Sequence, residues 1–254
     1  MVEQPAKKPF SLMDVRINTY PLDMLLPDAI KAIEGGPSIR FACANPHSLV
    51  EAQKDEDFFN ALQWFDHVVA DGVGVTLAAK LKGRFGIPRI TGADYYFTLM
   101  AALNEMSGKR VFFLGSTEAV LNRIRSRALI EYPNISAIET LSPPFGEWSD
   151  RENAEILERI NSFAPDVLWV GMTAPRQEKW IYRSHDNLDV PFVGAIGAVF
   201  DFYAGTYRRA PVWMREWGLE WLYRLSKEPR RMWKRNFVSA PKFFSALLRH
   251  RFQG

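Results

Sequence analysis

The sequence predicts an α/β fold: a Rossmann-like, largely parallel sheet flanked by helices, with a helical basic and aromatic appendage at its C-terminal end. Three observations predict it. Short β-branched or aromatic runs alternate with amphipathic stretches of helical length as far as Gly205. One such run, His67-Val-Val-Ala70, passes straight into Asp71-Gly72-Val73-Gly74 and then into an Ala-rich helical pattern. Beyond Gly205 the chain becomes dense in Trp, Phe and Arg. The expected division is therefore a Rossmann-like domain over 1–205 and an appendage over 206–254.

Taken in order, the pattern gives a strand over 15–18 and a helix over 21–34. In that helix Leu25, Leu26, Ala29, Ile30 and Ile33 recur at helical spacing, and Gly35-Gly36 closes it. A strand over 39–44 ends in Asn45-Pro46, followed by helical pieces over 47–53 and 57–64. The strand over 67–70 feeds a helix over 75–81. A loop over 83–88 precedes Arg89-Ile-Thr-Gly92-Ala-Asp94, which opens a helix over 95–106. A strand over 110–114 runs through Gly115-Ser116-Thr117 into a helix over 118–131. A further strand falls within 133–140, and Pro143-Pro144-Phe145-Gly146 is a turn-rich loop. A helix over 151–163, a strand over 167–171, a helix over 177–184 and a strand over 190–194 complete the alternation. Strands separated by helices of this length imply parallel crossovers.

Composition excludes several classes. The single cysteine, Cys43, rules out a disulfide framework and a multi-cysteine zinc site. The four histidines show no metal-ligand spacing. No run approaches the roughly 18 apolar residues of a membrane-spanning helix, and residues 1–10 lack an apolar signal segment, so a cytoplasmic protein is expected. Charge is uneven: residues 208–254 hold twelve Lys/Arg against three Asp/Glu, whereas the preceding residues hold twenty against twenty-six. A basic tail on an acidic body points to an anionic partner.

Asp71 is the residue on which the chemistry centres. In an open α/β sheet it falls at the carboxyl end of a strand, where ligands bind. Gly72 and Gly74 allow close backbone approach, and the helix that follows favours a phosphate at its N-terminus. A carboxylate beside a phosphate site suits a general base, while capping of the helix by Asp71 is the competing reading. Asn45, Arg89, Asp94 and the Gln177-Glu178 pair stand at comparable positions, and a set of this kind fits a nucleotide-type ligand. Gly72-Val-Gly74 does not continue as a dinucleotide fingerprint, because Leu77 stands where the third small residue belongs. Asp55-Glu56-Asp57 matches a metal-binding Asp-x-Asp pattern, but reads as a solvated turn with Asp57 as a helix cap. In the tail, Trp213, Trp217 and Trp221 form one helical stripe whose default reading is core packing. Trp233, Phe237, Phe244 and Leu248 alternate with Arg230, Arg231, Lys234, Arg235, Lys242 and Arg249, the composition of a helix lying in a membrane interface, with Trp233, Phe237, Phe243 and Phe244 as the aromatics expected to insert; nucleic acid is ranked below it for want of a motif.

Together these residues resemble the WecG/TagA/CpsF family of bacterial glycosyltransferases (glycosyltransferase family 26). The likeness runs from about Asp14 to about Arg235. It rests on Asn45-Pro46, Asp71-Gly72-Val-Gly74, Arg89-Ile-Thr-Gly92-Ala-Asp94 and Gly171-Met-Thr-Ala-Pro175-Arg-Gln177-Glu178. It continues through Gly197-Ala-Val-Phe200-Asp201, Arg209-Ala210-Pro211 and the block from Gly218 to Arg231. The resemblance implies an inverting, metal-independent and cofactor-free transferase. It would move a sugar from a UDP-sugar to a polyprenyl-diphosphate-linked saccharide, on the inner face of the cytoplasmic membrane, in cell-surface polysaccharide synthesis. By the same resemblance Asp71 is the base, Asn45, Arg89 and Gln177 line the site, and the appendage closes over it, bringing Arg224, Arg231 and Lys234. Cys43 stands where the family often has Thr, and Lys234 where Arg is usual, which removes a hydroxyl and a bidentate phosphate contact. The competing class is a non-catalytic membrane or nucleic-acid adaptor acting through the tail alone; self-association is left open.

Overall fold

The computed structural model describes residues 10–207, 210–211, 213–214, 217, 219–227 and 229–251, and for 231, 234–236 and 248–251 the backbone alone. The main sheet has six parallel strands: β3 (Ile39–Ala44), β4 (His67–Ala70), β5 (Arg110–Gly115), β6 (Ala137–Leu141), β7 (Val167–Gly171) and β8 (Phe192–Ala195). Their order is β4-β3-β8-β7-β5-β6, so the chain lays down the outer strands first and fills the centre last. The expected α/β fold with a parallel sheet is what forms.

Parallel strands here are buried on both faces, and their side chains alternate between two cores. Ala42, Ala44, Val68, Ala70, Leu168 and Val170 point to one side. Phe41, Val69, Val111, Phe113, Val167 and Trp169 point to the other. On the first side lie α2 (Pro46–Ala52), α3 (Glu56–Trp64), α4 (Val73–Leu81), α7 (Asp150–Phe163) and α8 (Arg176–Arg183). On the second lie α1 (Leu22–Ile33), α5 (Gly92–Met106), α6 (Glu118–Glu131) and the short α9 (Val199–Tyr203).

A hairpin precedes the sheet, β1 (Phe10–Leu12) with β2 (Val15–Ile17), closed by Met13 and Asp14 at φ of 51° and 61°. Only its second strand is legible in the sequence. Asn18 fastens the hairpin to the edge strand β4: its backbone N–H donates to the Val68 carbonyl at 2.7 Å, and its side-chain oxygen accepts from the Val68 N–H at 2.9 Å. That contact covers part of an otherwise open sheet edge.

The tail folds as α10 (Glu220–Lys227), α11 (Pro229–Trp233), a π-helical turn over Lys234–Ser239 and α12 (Ala240–Arg251). Phe243 and Leu247 of α12 are buried in the first core, against α2 and α4. Expected as a membrane-inserting side chain, Phe243 is fully enclosed by protein instead. The Trp stripe departs the other way: Trp213, Trp217 and Trp221 are exposed, Trp217 at 79%. Among the described residues no helix is long and apolar enough to cross a membrane.

Candidate active site

Because all six strands run parallel, their carboxyl ends share one edge, and a cavity of about 830 Å³ opens there. It spans the ends of β3, β4, β5, β7 and β8 and takes its outer wall from the tail. This is where an open sheet binds ligands.

At its centre Asn45 and Asp71 stand side by side. Ala44 and Ala70 are register partners, and the Asp71 N–H donates to the Ala44 carbonyl at 2.8 Å. Asn45 caps α2, its side-chain oxygen accepting from the His47 and Ser48 N–H groups at 3.0 Å each. With that oxygen used by the helix, the amide nitrogen is the end left to address a ligand. Asp71 caps nothing. Gly72, at φ +87°, is the cap residue of α4, and no side chain closes that terminus. The competing capping role for Asp71 is thereby removed, and the first-turn amides of α4 remain as an anion site. Gly74 is needed for the same geometry: a Cβ there would lie 2.5 Å from Pro46, so only glycine lets the starts of α2 and α4 converge.

Burial decides the electrostatics of Asp71. Withdrawal from bulk water pushes its carboxyl up to about 6. Glu220 and Asp94 push the same way, while Arg224 and Arg89 hold it down. A carboxylate of this kind is mostly ionised near neutral pH yet basic enough to take a proton. Arg89 is set beside it by the Ile90 N–H, which donates to the Ala70 carbonyl at 3.1 Å. Glu220 and Arg224, one turn apart on α10, both reach the cavity, and the Arg224 guanidinium lies 5.7 Å from the Phe202 ring.

The remaining sequence candidates divide. Gln177 is buried and bridges two elements: its side-chain nitrogen donates to Glu178 at 2.8 Å and its oxygen accepts from the Gly197 N–H at 3.1 Å. Cys43 lines the cavity, and burial, with the charges of Asp71, Glu178 and Asp94, pushes its thiol well up. It is a neutral, weakly polar wall and not a nucleophile. Asp94, expected to bind substrate, is the N3 partner of a capping box on α5, accepting from the Thr91 N–H at 3.0 Å. Its charge also helps to raise the Asp71 carboxyl. The side chains of Arg231 and Lys234 lie outside the described residues, although Met232 between them is buried in the cavity wall.

Three further carboxylates line the cavity: Glu178, expected there as the neighbour of Gln177, and Asp201 and Glu220, to which the sequence reading assigns no role. For Glu220 the signal is its neighbour, since it stands four residues before Arg224. The Asp55–Asp57 run lies elsewhere. Asp55, and not Asp57, caps α3 by accepting from the Phe58 N–H at 3.0 Å; it also pairs with Lys179 at 2.8 Å, and Asp57 pairs with Arg183. Lys179 above all pulls the Asp55 carboxyl below its ordinary value. Among the described residues no cluster of His, Cys, Asp and Glu has the makings of a metal site.

The model of the Glycosyl transferase WecG/TagA/CpsF family matches residues 10–254, nearly the whole chain. The chain belongs to that family. It is a sugar-transferring enzyme, and the non-catalytic alternative falls away. It is similar to the N-acetylglucosaminyldiphosphoundecaprenol N-acetyl-beta-D-mannosaminyltransferase of Bacillus subtilis (strain 168), 31% identical over 81% of this chain and 77% of that one. A protein of the same description in Bacillus spizizenii is 30% identical over 82% and 77%. One in Staphylococcus aureus (strain MW2) is 28% identical over 76% and 72%.

Proposed function

We propose that this transferase moves an N-acetylhexosamine-type sugar from a UDP-sugar to a saccharide carried on a polyprenyl diphosphate, with inversion and without a metal, in the synthesis of a cell-surface polysaccharide. One observation carries the reading: the Asp71 carboxyl, raised to about 6, sits in the cavity beside an uncapped helix N-terminus and within the field of Arg89 and Arg224. The names of the relatives, which describe transfer to a diphosphoundecaprenol-linked sugar, supply the acceptor class.

In this scheme an acceptor hydroxyl attacks the anomeric carbon of the donor. Asp71 takes the hydroxyl proton, the bond from the anomeric carbon to the diphosphate breaks, and UDP leaves with the electron pair. A single displacement inverts the anomeric configuration and needs one base. The charge growing on the diphosphate is met by the α4 amides, Arg89 and Arg224, with Arg231 and Lys234 joining from the tail. Fixed cations and dipoles serve in place of a divalent ion, and the acidic run at 55–57 is already spent on Lys179 and Arg183. Gly72 gives the backbone close access to the donor, and Asn45 and Gln177 address sugar hydroxyls.

The division into a catalytic unit over 1–205 and an appendage over 206–254 belongs to the same proposal. The appendage closes the cavity with Glu220, Arg224 and Met232 and holds the enzyme on the inner face of the cytoplasmic membrane through its basic charge and exposed Trp233 and Phe237. A screen of UDP-sugars against short polyprenyl-diphosphate saccharides, read by mass spectrometry, tests the function. UDP release that requires the lipid-linked acceptor is the expected result. Transfer to water alone, or to no acceptor in the panel, overturns it.

A further inference from the structure

Helix α4 carries an apolar stripe that the described residues leave uncovered. Val73, Leu77 and Leu81 stand at i, i+4 and i+8 on one face, while Val75, Ala78 and Ala79 meet the core on the other. All three stripe residues are exposed, Leu81 at 51%, and the loop beyond adds Phe85 at 78%. A helix with one face in the core would ordinarily present polar side chains on its other face.

The surroundings say what covers this stripe. Residues 72–93 contain Lys80, Lys82, Arg84 and Arg89 and no acidic residue, within a body that is otherwise net acidic. Lys80, Lys82 and Arg84 are exposed and flank Leu81 and Phe85 in the chain. Apolar side chains alternating with cations suit the phosphates and acyl chains of an anionic bilayer. A two-fold contact between copies of this chain would set these cations against one another, which disfavours a second copy as the occupant. Position adds a third argument. The stripe begins next to Asp71, and Val73 and Leu77 line the cavity together with Trp221 and Phe244 of the tail. The apolar surface therefore runs outward from the mouth of the site.

We propose that α4 and the loop over 82–86 form a second bilayer contact, distinct from the tail, in which Leu81 and Phe85 enter the leaflet and Lys80, Lys82 and Arg84 meet its phosphates. The inference rests on the reading of the acceptor as lipid-linked. With the cavity mouth pressed to the membrane, the diphosphate of an embedded acceptor reaches the site while its prenyl chain stays among the lipids.

The test uses the full chain and vesicles of equal parts phosphatidylglycerol and phosphatidylcholine, without substrate, so its outcome does not depend on which sugar or acceptor the enzyme takes. Lys82→Ala with Arg84→Ala should lower vesicle partitioning about thirty-fold at low salt, the effect shrinking as salt rises. Leu81→Ser with Phe85→Ser should lower it at least about tenfold at any salt. Both pairs are exposed and should match the wild type in far-UV circular dichroism and in transfer to a water-soluble acceptor. Unchanged partitioning in both pairs overturns the proposal. So does a loss of self-association in sedimentation velocity with vesicle binding intact, which would make the stripe an interface between copies.

Discussion

Replacing Asp71 by Asn tests the electrostatics of the site apart from its chemistry. An ordinary aspartate titrates near 3.8, and in the fold this carboxyl is raised to about 6. The unfolded chain therefore ionises first, and the group costs folded-state stability progressively as pH rises from the lower value to the higher. The cost is absent below both values and complete above about 6, where two pK units amount to about 3 kcal/mol. Linkage puts roughly half of that cost in place by about pH 5. Asp71→Asn removes the ionisation, so its stability relative to wild type should improve by about 1.5 kcal/mol between about pH 5 and about pH 7.5. Comparing the two pH values cancels whatever the amide does to packing. Urea unfolding of both proteins at both pH values gives the difference directly. A difference of zero, or one of opposite sign, would show that the carboxyl is not raised and would remove the physical basis for calling it a base. The same shift predicts an acid limb in kcat/KM with an apparent pKa near 6 for wild type.

Other expectations follow from single contacts. Arg224→Ala should cut turnover by about ten- to a hundred-fold through loss of a charge-assisted contact to the diphosphate, with vesicle binding largely kept. Treatment with EDTA should leave transfer intact, and Asp55→Ala should cost about 1 kcal/mol of stability through the lost α3 cap while sparing activity; loss of activity restored by Mg²⁺ or Mn²⁺ would contradict the metal-independent scheme. Phe243→Ala, which empties a fully buried site in the tail, should cost about 3–5 kcal/mol and show as faster proteolysis in the 206–254 region; an unchanged digestion pattern would mean the tail does not depend on that anchor.

The sheet was legible because its strands are fully buried runs punctuated by residues that end them. His67 to Ala70 is the clearest case, since a β-branched run meeting Asp-Gly has few other ways to fold. The same stretch located Asp71, but its freedom from capping depends on Gly72 taking the cap position, a backbone detail that composition does not encode. Asp94 shows the converse. Its place three residues after Thr91 is a capping-box spacing, and the structure forms that local bond, which attention to the shared strand edge leaves out. Within the acidic run, Asp55 and not Asp57 is the cap, and the pairing of both with Lys179 and Arg183 across the fold is something no local pattern reveals. Periodicity in the tail established that the helices are two-sided without saying which side is wet. That is why the Trp stripe faces solvent while Phe243 lies in the core. The strand β1 is not legible in the sequence because three residues next to a polar N-terminal segment carry too little pattern.

The central claim is that Asp71 takes the proton from the acceptor hydroxyl. The most direct measurement is the rate of sugar transfer to a lipid-linked acceptor by Asp71→Asn, alongside UDP binding by calorimetry. Binding within a few-fold of wild type, with turnover lowered about 10²–10⁴-fold, is the predicted result. Transfer at the wild-type rate would show that another group is the base.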